Sequence, residues 1–137
     1  MVASMSSSRS PVRLKARSIV PGVSRGRIVV FPHAVSFYGE LERLDLSGAI
    51  LIAKGSRGST VAPYIIYRMR RESRAPEAII LIRMAEPMVI AGAVLARIPL
   101  CDRLEVGDIS VLESMEGRTA IVTSLRENRT CIIEVCC

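Results

Sequence analysis

The sequence predicts an α/β domain of packed layers, with parallel strands at its centre and antiparallel strands on its flanks. Three observations carry that expectation. The middle of the chain alternates short apolar runs with stretches of helical spacing, the strand–helix–strand–helix–strand order of a parallel sheet. Both ends read as strands joined by turns. Half of the 137 residues are apolar but only 4% are aromatic, with no Trp, so the core must be aliphatic. That length suits one domain, taken as residues 11–137 after a tail at 1–10.

The elements follow in order. The Ser-rich start, MVASMSSSRS, has no periodicity and reads as a disordered tail. It lacks the apolar core of a signal peptide, and no apolar run approaches the ~20 residues of a membrane span. A cytoplasmic protein without membrane association is expected. From Val12 to Val20, apolar Val12, Leu14 and Ala16 alternate with basic residues, as in a half-buried strand. Pro21 to Gly26 carries turn chemistry, and Arg27 to Phe31 reads as a second strand. Pro32 to Gly48 has no clean period and is expected to be a loop with one short helical turn.

AILIA, Ala49 to Ala53, is a fully buried strand by its unbroken apolar run. A helix is predicted from Val61 to Arg71, with Val61, Ile65, Ile66 and Met69 on one face. Pro63 falls in its first turn, where a missing amide is tolerated, and Arg68, Arg70 and Arg71 suit its negative end. Ser73 to Glu77 stops this helix. Ala78 to Ile82 is another buried strand, Met88 to Arg97 a helix apolar nearly all round, and Ile98 to Asp102 a short strand. Gly107 to Ser114, Gly117 to Leu125 and Thr130 to Cys136 read as three closing strands.

The net charge is +6, and all but two of the 19 basic residues are Arg, the exceptions being Lys15 and Lys54. A basic balance suits an anionic partner, whether nucleic acid or a phosphorylated or carboxylate substrate, and equally a scattered basic surface. An RNA-binding module is weakened by the lack of interleaved aromatics: Phe31, Phe37, Tyr38, Tyr64 and Tyr67 are all there are. Cys101, Cys131, Cys136 and Cys137 form no metal-binding spacing, so no metal site is expected and reduced, buried or terminal thiols are. With His33 as the lone histidine, in a loop, a Ser-His-Asp triad cannot be assembled.

One stretch stands out. GSRGST, Gly55 to Thr60, separates the AILIA strand from the helix that follows. In open α/β units, ligands gather where a strand ends and its helix begins. Gly55 and Gly58 allow positive φ and close approach of a ligand to the backbone, Ser59 or Thr60 can cap the helix, and helix-start amides attract anions. Arg57 adds a permanently charged fork for carboxylate or phosphate. The stretch is not a nucleotide-binding P-loop, whose spacing and lysine are absent. Two readings remain: an ordinary capping turn, or a site for a negative ligand. Glu86, at the next strand–helix joint, could line the same edge or simply stand at a helix start.

The blocks SFYGE, GAILIAKGSRGSTVAPYIIYRM and APEAIILIRMAEPMVIAGAVLARIPLCDRL, followed by GD, resemble in order and spacing the small subunits of the aconitase X family. The similarity runs from about Ile28 to Val111 and is nearest to the archaeal enzymes that dehydrate phosphomevalonate. It implies a swivelling β/β/α domain with parallel central strands and flanking antiparallel strands. It implies a large-subunit partner that holds a 4Fe-4S cluster, the two chains forming a heterodimer. It further implies a hydro-lyase that converts (R)-5-phosphomevalonate to trans-anhydromevalonate 5-phosphate in an archaeal mevalonate route to isoprenoids. By the same resemblance Ser59 is the general base, and Ser56, Arg57, Gly58 and Thr60 bind substrate. The segment after SFYGE is shorter than in many relatives, and Thr60 stands where bacterial hydroxyproline dehydratases tend to have Cys. Both departures favour the archaeal activity over another hydroxy-acid dehydratase.

Overall fold

The computed structural model describes residues 11–136; the expected tail at 1–10 and Cys137 lie outside them. Seven strands close into a barrel in the spatial order β1-β5-β4-β3-β2-β6-β7. These are β1 (Val12–Val20), β2 (Gly22–Val35), β3 (Ala49–Ser56), β4 (Ala78–Leu81), β5 (Leu100–Asp102), β6 (Thr119–Ser124) and β7 (Thr130–Val135). Helix α1 (Ala62–Arg71) follows β3, α2 (Pro87–Ala96) follows β4, and a short α3 (Ile109–Glu113) precedes β6. Strands β2 to β5 pair in parallel, and β1, β6 and β7 pair antiparallel with their neighbours. The parallel centre and antiparallel flanks are therefore as predicted, and the sheet is rolled shut.

Period-2 alternation explains why the central strands are apolar at every position. Ile50 and Ile52 of β3 and Ile80 of β4 point into the barrel with Ile28, Val122 and Ile133. Leu51, Ala53, Ile79 and Leu81 point the other way, against Ile65, Ile66 and Met69 of α1 and Val89 and Ala93 of α2. Each fully buried side chain of this kind stabilises the fold by about 1.5–3 kcal/mol relative to exposure.

Three expectations are corrected. The stretch Gly107 to Ser114 is not a strand: Asp108 caps α3 by accepting the Ser110 amide at 3.2 Å, and Leu112 is fully buried in the barrel-side cluster. The alternation of Ile109 and Val111 imitated a strand, but a side-chain acceptor for a helix-start amide favours the helical alternative. Second, β2 runs for 14 residues, absorbing most of the expected turn and the start of the expected loop. Its Gly22 to Arg27 half pairs with β6, and its later half pairs with β3. Third, Cys101 and Cys131 are not free thiols but a disulfide joining β5 to β7, both cysteines fully buried on either side of β1.

The connection from β2 to β3 is a packed turn rather than an open loop. Leu41 and Leu46 are buried, and Arg74 donates to the carbonyls of Glu42 at 2.8 Å and Leu44 at 2.9 Å. This fastens the connection to the far end of α1 and holds its start, at Ser36 to Glu40, beside the end of β3.

Candidate functional site

The carboxyl ends of β2, β3, β4 and β5 lie side by side at one end of the barrel. Residues Arg57 to Val61 leave β3 there and turn into α1. The Arg57 amide donates to the Val35 carbonyl at 2.8 Å, so the loop's first residue is tied to β2. The Arg57 side chain is exposed, with no hydrogen-bond or ion-pair partner among the described residues. An always-charged fork left open in this way is suited to an incoming carboxylate or phosphate.

Ser59 is half-buried, and its hydroxyl oxygen accepts the Val61 amide at 3.3 Å. Its carbonyl also accepts the Ala62 amide at 3.0 Å. The N-cap of α1 is Val61, which has no side-chain cap hydrogen bond, so neither Ser59 nor Thr60 caps the helix as expected; Ser59 instead closes the turn two residues ahead of that N-cap. The same contact has a chemical consequence: an N–H aimed at the oxygen, together with the positive end of α1, lowers the cost of a negative Oγ. Thr60 is exposed beside it.

Neither Gly55 nor Gly58 adopts a positive φ, so the first reason offered for them does not apply. Close approach does occur, but by side chains of the protein rather than by the expected ligand. A Cβ on Gly58 would lie 2.9 Å from Oε2 of Glu86, and one on Gly55 would meet the Arg83 side chain at 3.3 Å. What approaches Gly58 is a carboxylate from the neighbouring joint between β4 and α2. The Ser56 hydroxyl donates to Oε1 of the same carboxylate at 3.3 Å. A hydroxyl proton directed at Glu86 is not free to reach a substrate, so Ser56 acts as a link between loops.

Behind Glu86 stands a residue the sequence reading missed. Asp102, at the end of β5, is fully buried; its Oδ2 accepts the Ala85 amide at 2.7 Å. Arg17 of β1 grips it with both Nε and Nη2 at 2.8 Å. That carboxylate hydrogen bond holds the Arg17 guanidinium even more firmly protonated than usual. Only the pairing of β1 with β5 brings these residues together, and no local pattern announces it.

On the opposite flank His33 Nε2 and Glu40 Oε2 lie 2.7 Å apart, and Glu40 Oε1 accepts the Ser36 amide at 3.0 Å. The bond to His33 holds the Glu40 carboxyl below its ordinary value, with the Ser36 amide and the Arg57 charge adding to it. Large apolar side chains stand exposed at the same end: Tyr38 (64%), Val61 (42%), Tyr64 (75%) and Met84 (60%). A cavity of about 440 Å³ opens elsewhere, between Arg17, Pro21, Arg126 and Arg129, and none of the loop residues lines it. Among the described residues no group of three His, Cys, Asp or Glu side chains is placed to hold a metal ion.

Comparison with known proteins gives a consistent result. The family model of the aconitase X swivel domain matches residues 13–132. The phosphomevalonate dehydratase small subunit of Aeropyrum pernix is 44% identical over 101 residues, 68% of this chain and 75% of that protein. That of Pyrococcus furiosus is 35% identical over 117 residues, 75% of this chain and 84% of that protein. The crystal structure of Thermococcus kodakaraensis aconitase X in its holo form superimposes with a TM-score of 0.74 at 29% identity, covering 89% of this chain and 98% of that one.

Proposed function

This chain belongs to the aconitase X swivel-domain family, and from that premise we propose that it is the small subunit of a two-chain hydro-lyase acting on (R)-5-phosphomevalonate. The observation that carries the reading is Ser59: a hydroxyl at a strand–helix joint, its oxygen receiving an amide N–H, next to an unpaired arginine. Ser59 takes the proton from the carbon beside the substrate carboxylate. The electron pair of that C–H bond becomes the new double bond as the hydroxyl on the neighbouring carbon leaves with its own bonding pair. It becomes water by taking up a proton from solvent, and Ser59 gives up the proton it received to reset the base. The Val61 amide and the α1 dipole favour the oxygen in its anionic form, which is what a serine needs to act as a base. Arg57 binds a substrate carboxylate or phosphate, while Gly58 and Thr60 line the approach.

The departing hydroxyl requires a Lewis acid, the role of an iron–sulfur cluster carried by the large subunit. The residues described here offer no ligand set for that group, so this chain's part is confined to the base and the substrate contacts. The exposed Tyr38, Val61, Tyr64 and Met84 around the loop support the two-chain reading, because aromatic and Met side chains are enriched in buried interfaces. No helix among the described residues is long and apolar enough to cross a membrane. In this reading the pair works in the cytoplasm. Burial of the Cys101–Cys131 bridge keeps it from reducing thiolates in that compartment.

The test is anaerobic turnover of 5-phosphomevalonate by this chain combined with its large subunit. Dehydration that requires both chains, and that falls by about 10³-fold or more in Ser59→Ala while the complex still assembles, is the expected result. Normal turnover by Ser59→Ala would remove the base from the reading. No turnover with an intact cluster would remove the substrate.

A further inference from the structure

Glu86 occupies the N-cap position of α2, with extended backbone at φ −85° and ψ 152°, yet its side chain caps no amide of its own helix. It turns instead toward the loop after β3. There Oε1 receives the Ser56 hydroxyl, and Oε2 fills the space that only a glycine at 58 leaves open. The residue before it is pinned from behind, because the Ala85 amide is held by fully buried Asp102, itself clamped by Arg17. Four segments are thus connected in series: β1 through Arg17, the end of β5 through Asp102, the β4–α2 joint through Ala85 and Glu86, and the catalytic loop through Ser56 and Gly58.

The dipole favours a carboxylate at a helix start without requiring it to reach another segment. This one is aimed across a joint, with its neighbours shaped to receive it. We propose that Glu86 is a positioning residue for the dehydration: its carboxylate, set by the Asp102–Arg17 pair, fixes the 56–59 loop so that Ser59 Oγ meets the substrate proton. The assignment rests on Ser59 being the base. It takes Ser56 out of the set that touches substrate and gives Gly58 a reason that does not involve substrate. Glu86 acts through hydrogen-bond geometry, so glutamine, which keeps one acceptor oxygen, should largely replace it, whereas alanine should not. Displacing a reacting group by about 1 Å costs on the order of 10²-fold in rate.

The experiment compares Glu86→Ala, Glu86→Gln, Gly58→Ala and the Glu86→Ala/Gly58→Ala pair in the assembled two-chain enzyme. Hydrogen exchange of the 56–59 amides is measured in parallel on the full small-subunit chain alone. The expected result is a fall in kcat of about 10- to 100-fold for Glu86→Ala with KM changed less than about 3-fold, and recovery to within about 3-fold of wild type in Glu86→Gln. Gly58→Ala should slow the wild type and cost less in the Glu86→Ala background than in wild type, since the added methyl then meets no carboxylate. Faster exchange at 56–59 in Glu86→Ala tests the link even if the assembled enzyme proves to use another substrate. The proposal is overturned by unchanged kcat in Glu86→Ala, by a loss residing in KM, by Glu86→Gln failing as badly as alanine, or by additive effects in the pair. Unchanged exchange in Glu86→Ala overturns it independently of any activity, while a wild-type complex that does not turn over overturns the functional reading alone.

Discussion

Ser59 and Glu40 show how single side chains set the character of this end of the barrel. The serine was legible in the sequence because glycine, serine and arginine at a strand–helix joint carry a local meaning. Its supports were less so: Glu86 could be read as lining the same edge or simply standing at a helix start, and Asp102 only as the end of a short strand, because their partners are 30 and 17 residues away in the chain. Glu40 leads to a prediction in pH. Its folded value is depressed, so its contribution to stability is complete above its ordinary value of 4.5 and is lost as the pH falls through the lowered one. Protection of the Ser36 amide, measured by hydrogen exchange, should therefore weaken only on acidification below that range. In His33→Ala the Glu40 midpoint, followed by carboxyl carbon NMR, should rise toward 4.5, since the His33 bond is the largest cause of the depression. A midpoint that stays where it was would assign the depression to the Ser36 amide and Arg57 instead.

At the level of elements, the segments read correctly are those whose burial repeats with a simple period. Strands β1, β3 and β4 and helices α1 and α2 fall within a few residues of their predicted ends. The errors lie where the pattern is set by distant chain or by a single capping side chain. The polar first half of β2 is a strand because β6 pairs with it, and α3 is a helix because Asp108 supplies a cap. The packing of α1 on α2 gives a second prediction. Gly92 of α2 faces α1 so closely that a Cβ there would lie 2.6 Å from Ile66 Cδ1 and 3.1 Å from the Pro63 Cα. Gly92→Ala should destabilise the chain by about 1–3 kcal/mol, because the side chain can yield but the Pro63 backbone resists. Adding Ile66→Val, which removes the nearer obstacle, should recover part of the loss in a denaturant titration; no recovery would point to the backbone contact as the main cost.

The whole chain is closed twice, once by hydrogen bonds around the barrel and once by the Cys101–Cys131 bridge across β1. No local pattern announces that pairing: the two cysteines are 30 residues apart and only the barrel order brings their strands to either side of β1. Closing a loop of that length stabilises the folded state by about 3–4 kcal/mol through the unfolded chain. Cys131→Ala should accordingly lower the melting temperature by roughly 10 °C, with the oxidised and reduced wild type differing by a similar amount. Equal melting of the two wild-type forms would show that packing alone holds β5 and β7 in place.

The closed barrel also bears on how the folded chain fares among its neighbours. In a cell it is crowded by nascent chains with strands still to be paired. An open sheet would offer such neighbours a rim of unsatisfied amides and carbonyls, the usual starting point for runaway association. Here β7 returns to β1 and the rim is gone. What the barrel offers to its surroundings is a set of side chains and one short loop, so whatever it recognises must meet it where its chemistry is displayed.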